Sequence, residues 1–401
     1  MTPKDVYDRI THHDEDDDLD NNDSDGNNGF NPDEHLNNTQ TPQEEIRNPE
    51  DEVAPFGPGT VTSARDPEVV GRVEQLIRDF GGDPDELSGR LVRDMMQTAL
   101  RLVQDNAHTG ELKLISRSLG ELRYALKVFR PYGDVRKVSI FGSARTPATH
   151  PDYLQAVTFA REIAKAGWMV ITGAGDGIMR AGHEGAGAEA SFGVSIMLPF
   201  ETSANDIIEG DPKHTTFRYF FTRKLMFVSQ ADALILFPGG FGTLDECFET
   251  LTLVQTGKSS MIPIAMVEPE GNGYWEHFDR YVREHLLKNN LISEPDLNLY
   301  QIFHDPQQAV DYVKQFYRNY HSQRFVRDKL VIRLLEPLSE RALDQLNDEF
   351  ADLIVEGRIT QSGAHETEVE HLHLPRISFR FTRRDFGRFR QMIDRINELS
   401  D

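Results

Sequence analysis

Apolar and polar positions along the chain change rhythm twice. From residue 136 onward, short and nearly continuous apolar runs appear at Val138–Phe141, Trp168–Thr172, Phe192–Leu198, Ala233–Phe237 and Ile262–Val267. Runs this short, bounded by turn residues, read as strands buried on both faces. Longer stretches with helical periodicity lie between them, near 151–166, 178–189, 216–230 and 243–256. Strands alternating with helices predict βαβ units. The expected fold class is α/β, a Rossmann-like, mostly parallel sheet flanked by helices.

Residues 64–130 read as helices throughout. Asp83-Pro84 is a candidate helix start, with proline in the first turn, and Thr109 a candidate N-cap for a helix ending near Pro131. Leu112, Leu114, Ile115, Leu119 and Leu122 recur at close to 3.6 residues and predict a structural or oligomer-forming helical layer. After about 325 the rhythm changes again. Leu330–Leu335 and Ile377–Phe381 read as strands, and 338–355 and 384–399 as helices, which makes a small α+β appendage. The expected organisation is a tail over 1–62, a helical segment over 63–134, the α/β domain over 135–322 and the appendage over 323–401.

Charge sharpens this division. The formal net charge is −23, and residues 1–60, with 17 acidic and 3 basic side chains, hold −14 of it. So acidic and apolar-poor a stretch cannot offset its chain entropy by burial and is expected to be a disordered, solubilising tail. Binding to a nucleic-acid polymer is disfavoured, because no basic footprint dominates. No apolar run is long enough to span a bilayer and no signal peptide is visible, so no membrane partner is expected. Cys247 is the only cysteine. An intrachain disulfide is impossible, which fits a reducing, cytoplasmic setting.

Chemistry concentrates where the strands end. Three loops follow strands: Phe141-Gly142-Ser143-Ala144-Arg145, Gly173-Ala174-Gly175-Asp176-Gly177, and Pro238-Gly239-Gly240-Phe241-Gly242-Thr243. Glycine lets backbone N–H groups approach a ligand closely, and the helix that follows favours an anion at its N-terminus. Three such loops on the carboxyl edge of one parallel sheet predict a convergent nucleotide site. The second loop is Gly-x-Gly-x-Gly, not the dinucleotide Gly-x-Gly-x-x-Gly, and the next strand runs into Leu198-Pro199-Phe200 without a terminal carboxylate. No Gly-Lys-Ser/Thr closes a P-loop. A mononucleotide therefore fits better than a dinucleotide or ATP. In the third loop Thr243 adds a hydroxyl donor to a phosphate cradle, and Glu246 follows one turn later. Thr243-x-x-Glu246 also satisfies a capping box, but capping leaves the glycines before it unexplained.

The stretch 216–230 supplies cations. Phe217, Phe220, Phe221, Leu225 and Val228 make its apolar face, Lys224 falls inside that stripe and Arg223 lies beside it. Next to a phosphate loop, both are assigned to the site. Cys247, buried in a helix without an evident base, reads as core packing. His183 and His214 sit in no motif, Asp176 is a candidate ribose contact, and Tyr274-Trp275 reads as core before base stacker. His365, His371 and His373 read as surface histidines before a metal site.

Pro238-Gly239-Gly240-Phe241-Gly242-Thr243-Leu244-Asp245-Glu246 resembles the PGGxGTxxE signature of the LOG (“Lonely guy”) family, nucleoside 5′-monophosphate phosphoribohydrolases long misnamed lysine decarboxylases. Arg223-Lys224-Leu225-Met226 resembles that family's RKxxM segment, and Gly142-Ser143 and Gly173–Gly177 resemble its other nucleotide loops. The resemblance covers roughly 135–320. It implies hydrolysis of the N-glycosidic bond of an AMP-like nucleotide to free base and ribose 5-phosphate. Glu246 and Arg223 would be catalytic. Gly142, Ser143, Gly173, Gly175, Gly177, Lys224, Pro238, Gly239, Gly240, Gly242 and Thr243 would bind substrate. It also implies a homodimer or higher homo-oligomer and neither metal nor organic cofactor. A non-catalytic nucleotide sensor on the same fold is the alternative. A pyridoxal phosphate decarboxylase would need a lysine-centred constellation that is not visible here. The 173–177 loop is shorter than the GGGxxGLMG of short plant-type members, and the terminal additions resemble the larger bacterial members, including purine/pyrimidine nucleotide nucleosidases.

Overall fold

The apolar runs form a seven-stranded sheet: β1 (Lys137–Phe141), β2 (Met169–Thr172), β3 (Ser191–Ile196), β4 (His214–Phe217), β5 (Ala233–Leu236), β6 (Ile264–Val267) and β7 (Tyr300–Phe303). A computed structural model describes residues 64, 66–198, 204–364, 368 and 370–400. The stretch read as an acidic tail, together with Pro199, Phe200 and His365, lies outside the described residues. Neighbouring strands pair in parallel throughout, in the order β4-β3-β2-β1-β5-β6-β7. The Rossmann-like α/β class is thus observed. The strand order reverses between β1 and β5, and ligands of open α/β sheets bind in the crevice at such a reversal.

Six helices belong to this layer: α4 (Pro151–Lys165), α5 (Ile178–Ala186), α6 (Phe220–Ser229), α7 (Phe241–Gln255), α8 (Tyr274–Tyr281) and α9 (Pro306–Phe316). Three others, α1 (Pro67–Asp79), α2 (Leu87–Gln104) and α3 (Thr109–Phe129), precede it. α4 shows how the sequence sets such an element. Pro151 occupies the first turn, the His150 imidazole accepts from the Asp152 N–H at 3.2 Å, and Tyr153, Ala156, Phe159, Ala160 and Ile163 make one buried face. Pro84, in contrast, starts no helix. Asp83 accepts from Asp85 N at 2.9 Å, a local Asx turn that competes with helix, and α2 begins three residues later.

Two strands of this sheet were not legible, nor were β8 (Tyr320–Val326) and β10 (Thr360–Ser362) further on. The stretch read as a helix over 216–230 begins in β4, whose Phe217 is buried, and turns helical only at Phe220. The helical spacing of Phe217 with Phe220 and Phe221 is accidental, because Thr215 and Thr216 favour strand. The apolar face expected of this helix is also corrected. Thr222, Met226 and Phe227 are buried, whereas Phe220, Phe221 and Leu225 are each more than half exposed. β7 was missed because Tyr300-Gln301-Ile302-Phe303 has a polar residue in its middle and pairs at a sheet edge.

The C-terminal part is a four-stranded antiparallel sheet, β10-β11-β9-β8, with α10 (Glu340–Glu349) and α11 (Phe386–Leu399). Its strands are β8 (Tyr320–Val326), β9 (Lys329–Leu334), β10 (Thr360–Ser362) and β11 (Arg376–Phe379). Leu330, Ile332, Ile377 and Phe389 share one apolar cluster with Val138, Ile235 and Met266. Described residues from Glu121 onward make one compact unit, and those up to Gly120 make another. In the unit up to Gly120, Arg93 pairs with Glu74 at 2.8 Å. Among the described residues, no helix is long and apolar enough to cross a membrane.

Candidate functional site

The loops after β1 and β5, which flank the reversal, are bonded to each other. Ser143 N–H donates to Pro238 O at 3.1 Å, and Ser143 O accepts from Ile178 N at 3.0 Å, which ties in the loop after β2. A cleft of about 1230 Å³ opens above them. Gly142, Ser143, Gly173, Gly175, Gly239, Gly240, Gly242, Thr243, Arg223 and Glu246 all line it. The structure therefore brings together most of the residues singled out from sequence. Pro238 and Gly177 do not line the cleft. Gly177 has a φ of +58°, and a Cβ there would meet Ser143 O at 2.2 Å.

The third loop is shaped for an anion. A Cβ on Gly239 would fall 2.2 Å from Thr243 Oγ1 and 3.0 Å from Ser143 N, so the packing demands glycine there. Among the described residues nothing crowds Gly240 or Gly242, whose Cβ positions meet no atom within 4 Å. The space beside them is left for something else. Gly240 is the N-cap of α7, and no side chain caps that helix. Thr243 lies inside the helix, which removes the capping-box explanation of Thr243 and Glu246. The first N–H groups of α7 thus face the cleft without a side-chain acceptor. Tyr274, read from sequence as core or stacker, donates from its hydroxyl to Gly239 O at 2.7 Å and steadies this turn. Trp275 is wholly buried.

Glu246 sits one turn along α7 and is only 6 % exposed. Its Oε2 is buried without a hydrogen-bond partner, and its Oε1 lies 3.4 Å from Lys224 Nζ. Burial pushes its carboxyl up to about 7; the Lys224 ammonium and the Arg223 guanidinium oppose this, and Glu249 adds to it. Carboxylates shifted in this way cluster at functional sites, which makes Glu246 a candidate acid or base. Arg223 stands across from the second loop. Its Nε donates to Val194 O at 2.8 Å, its guanidinium lies 5.1 Å over the Phe227 ring, and a Cβ on Gly173 would collide with it at 2.4 Å. Gly173 is small because the arginine needs that space.

Lys224 departs from expectation. It does not line the cleft. Its ammonium bonds Glu249 at 2.6 Å and Asp245 at 3.0 Å as well as facing Glu246. Burial works against its charge, but these carboxylates outweigh it and hold the ammonium above its ordinary range. Lys224 is a counter-charge behind the carboxylate, and the snorkelling of lysine from an apolar stripe gave no hint of that.

Other residues were missed or misjudged. Ala174 adopts a left-handed backbone, φ +61°, while wholly buried. A non-glycine residue there is strained unless its surroundings hold it. Asn205 does so, donating from Nδ2 to Ala174 O and Gly175 O, each at 3.0 Å. His183 in turn contacts Asn205, Thr172 and Phe192 O, and burial lowers its pKa. His183 is thus a buried strut of the second loop. Asp176 is exposed and does not line the cleft. Burial pushes the Cys247 thiol up to about 12, as suits core packing. His371 packs its ring 4.6 Å from His321, remote in sequence from any cleft residue. Among the described residues, one group has the spacing of metal ligands: Glu268, Glu276 and His304. Both carboxylate oxygens of Glu268 already accept from the N-terminus of α8, from Tyr274 N at 2.6 Å and Glu276 N at 3.2 Å.

Residues 174–313 match a family model described as “Possible lysine decarboxylase”. A cytokinin riboside 5′-monophosphate phosphoribohydrolase of Mycobacterium tuberculosis is 31 % identical over 134 residues, 33 % of this chain and 68 % of that protein. A probable cytokinin riboside 5′-monophosphate phosphoribohydrolase, LOG4, of Oryza sativa subsp. japonica is 26 % identical over 159 residues, 38 % of this chain and 67 % of the relative. Among solved structures, the molybdenum cofactor carrier protein of Chlamydomonas reinhardtii aligns at 19 % identity and a TM-score of 0.33, over 45 % of this chain and 97 % of its own.

Proposed function

This chain belongs to the LOG family, and from that premise we propose that it hydrolyses the N-glycosidic bond of a nucleoside 5′-monophosphate. Water adds at C1′ of the ribose, the C1′–N bond breaks with its electron pair going to the base, and the products are ribose 5-phosphate and the protonated free base. AMP-like nucleotides are the proposed substrates. The observation that carries the reading is Glu246, a buried carboxylate with an unbonded oxygen, one turn from an uncapped helix N-terminus in the same cleft.

The phosphate sits on the N–H groups of α7 beside Gly240 and Gly242, with the Thr243 hydroxyl as a further donor. That contact orients the sugar over Glu246. Positive charge builds on the ribose as the base departs, and a carboxylate in a partly desolvated site stabilises it and aligns the water. Arg223 positions the nucleotide and assists departure of the base. A pure nucleotide sensor would need the loops but no buried acid, whose desolvation is unfavourable in the empty site. Phe220, Phe221 and Leu225, exposed on α6, supply the apolar surface of a homo-oligomer contact. The buried thiol of Cys247 suits a cytoplasmic enzyme.

The direct test is incubation with a panel of nucleoside monophosphates and chromatography for free bases. No base released from any of them, with binding intact, would leave only the sensor. Two variants sharpen it. Gly239→Ala forces Thr243 and Ser143 apart, and is expected to weaken ribose 5-phosphate binding by about tenfold or more, since misplaced donors lose most of a charge-assisted contact; unchanged affinity by calorimetry would put the phosphate elsewhere. Glu246 must be ionised to act, so activity is expected to fall as pH drops through about 7. Lys224→Met removes the nearest cation. The acidic limb should then move to higher pH by on the order of one unit, and an unmoved limb would deny Lys224 its role.

A further inference from the structure

α3 precedes the α/β layer, yet its C-terminal part is built onto the helix that carries Arg223. Glu121, Ala125 and Phe129 recur every four residues and so lie on one face of α3. Ala125 and Phe129 are buried in one cluster with Phe192 of β3, Phe217 of β4 and Met226 and Phe227 of α6, and the Phe129 ring stacks on Phe192 at 4.2 Å. One turn earlier on that face stands a carboxylate. Glu121 Oε1 accepts from Arg218 N–H at 2.8 Å, and its Oε2 accepts from the Thr222 hydroxyl at 2.6 Å. Arg218 follows the last residue of β4, and Thr222 lies in the first turn of α6. One side chain of α3 therefore spans the joint Arg218-Tyr219 between that strand and that helix.

A carboxylate is an unfavourable choice there for packing alone. Glu121 is half-buried and Thr222 buried, and an apolar side chain at 121 would extend the packed face without desolvating a charge. What the carboxylate adds is position. Tyr219, the N-cap of α6, provides no side-chain cap. Glu121 supplies the acceptor from another helix, at the end of α6 where the dipole favours an anion. Arg223 directly follows Thr222, lines the cleft and reaches Val194 O with its Nε at 2.8 Å. A shift of the first turn of α6 would carry the guanidinium with it. Resting on the role given to Arg223 above, we propose that Glu121 is a positioning residue: it fixes the first turn of α6 and, through that turn, the Arg223 guanidinium in the cleft. The phosphate contact proposed at α7 does not depend on it.

The test is a double-mutant cycle on the full chain. Dissociation constants for AMP and for ribose 5-phosphate are measured by calorimetry, with base release from AMP followed in parallel. Glu121→Ala is expected to weaken AMP binding by about fivefold or more and to lower kcat/KM by about tenfold or more, because a small misplacement of an orienting group is felt in the reaction. Ribose 5-phosphate, held at α7, should bind within about twofold of the wild type. Glu121→Gln keeps an acceptor for Arg218 and a partner for Thr222, and should stay within about threefold of the wild type, the remainder being the lost charge at the helix terminus. In an Arg223→Ala background, Glu121→Ala should lose nothing further, since residues that act through one contact are not additive. A residue that merely held the fold would lower both affinities together and add to Arg223→Ala. Wild-type AMP affinity in Glu121→Ala, equal losses for AMP and ribose 5-phosphate, or additive losses overturn the inference. Should Glu121→Ala fail to fold, Thr222→Val removes the other end of the bond and is read in the same cycle. Absence of base release with the binding cycle non-additive would sink the hydrolase reading and leave this one standing.

Discussion

Glu246→Gln is expected to slow base release from AMP by at least about 10²–10³-fold, the loss seen when one preorganised electrostatic group is removed from a transition state. Glutamine keeps the shape and the hydrogen-bonding reach of glutamate but not its charge. The phosphate contact proposed at α7 does not involve this side chain, so nucleotide affinity should change little. Stability supplies the control. The carboxyl of Glu246 titrates near 7 in the folded chain, above the usual carboxylate value of 4.5. Between those pH values the folded state holds more protons than the unfolded one, so this group's contribution to stability declines as pH rises through that window. Glutamine abolishes that decline, and the variant should melt no lower than the wild type at pH 8. An inactive variant of full stability that still binds AMP supports a chemical role. Turnover like the wild type would remove Glu246 from the mechanism.

Glu368→Ala is expected to cost about 3–5 kcal/mol of stability, the range for removing one partner of a buried ion pair. Arg333 and Arg376 are both essentially inaccessible, and Glu368 lies between them. Arg333 donates to Oε1 at 2.9 and 3.2 Å, and Arg376 Nε to Oε2 at 2.6 Å. Arg376 also donates to the carbonyls of Leu374, Glu370 and His371, which fastens the segment before β11. Without the carboxylate, two guanidinium charges face each other in the interior. Urea unfolding at 25 °C reads the loss directly. A loss under about 1 kcal/mol would mean that water reaches the pair. The four-stranded sheet and the α/β layer share an apolar cluster, so the midpoint for the whole unit from Glu121 onward should move with it.

Much of the site was legible because backbone-driven features leave local marks. Gly239 and Gly177 are glycines for steric reasons that act within a few residues or across one loop contact, and the alternation of apolar runs with helices follows from burial on both sheet faces. Lys224 was misread for the opposite reason: its three carboxylate partners lie on α7, more than twenty residues on. Asn205, which holds the left-handed Ala174, and Tyr274, which holds Gly239, act from segments with no motif of their own. Their roles exist only once the chain has closed. The apolar face of α6 was misassigned because its buried side depends on what packs over β3 and β4, and helical spacing alone does not choose between two apolar sides.

By itself, the sequence determined the parallel α/β class, the three carboxyl-edge loops and the presence of a glutamate one turn after the third of them, because strand burial, glycine sterics and helix termini are short-range physics written in adjacent residues. Only the tertiary structure decided that Lys224 would serve as a counter-ion, that His183 would be a strut and His214 part of a cleft wall, and that Glu246 would be dry enough to titrate near 7. Charge, solvation and pairing depend on which distant groups meet, and no spacing along the chain encodes that meeting.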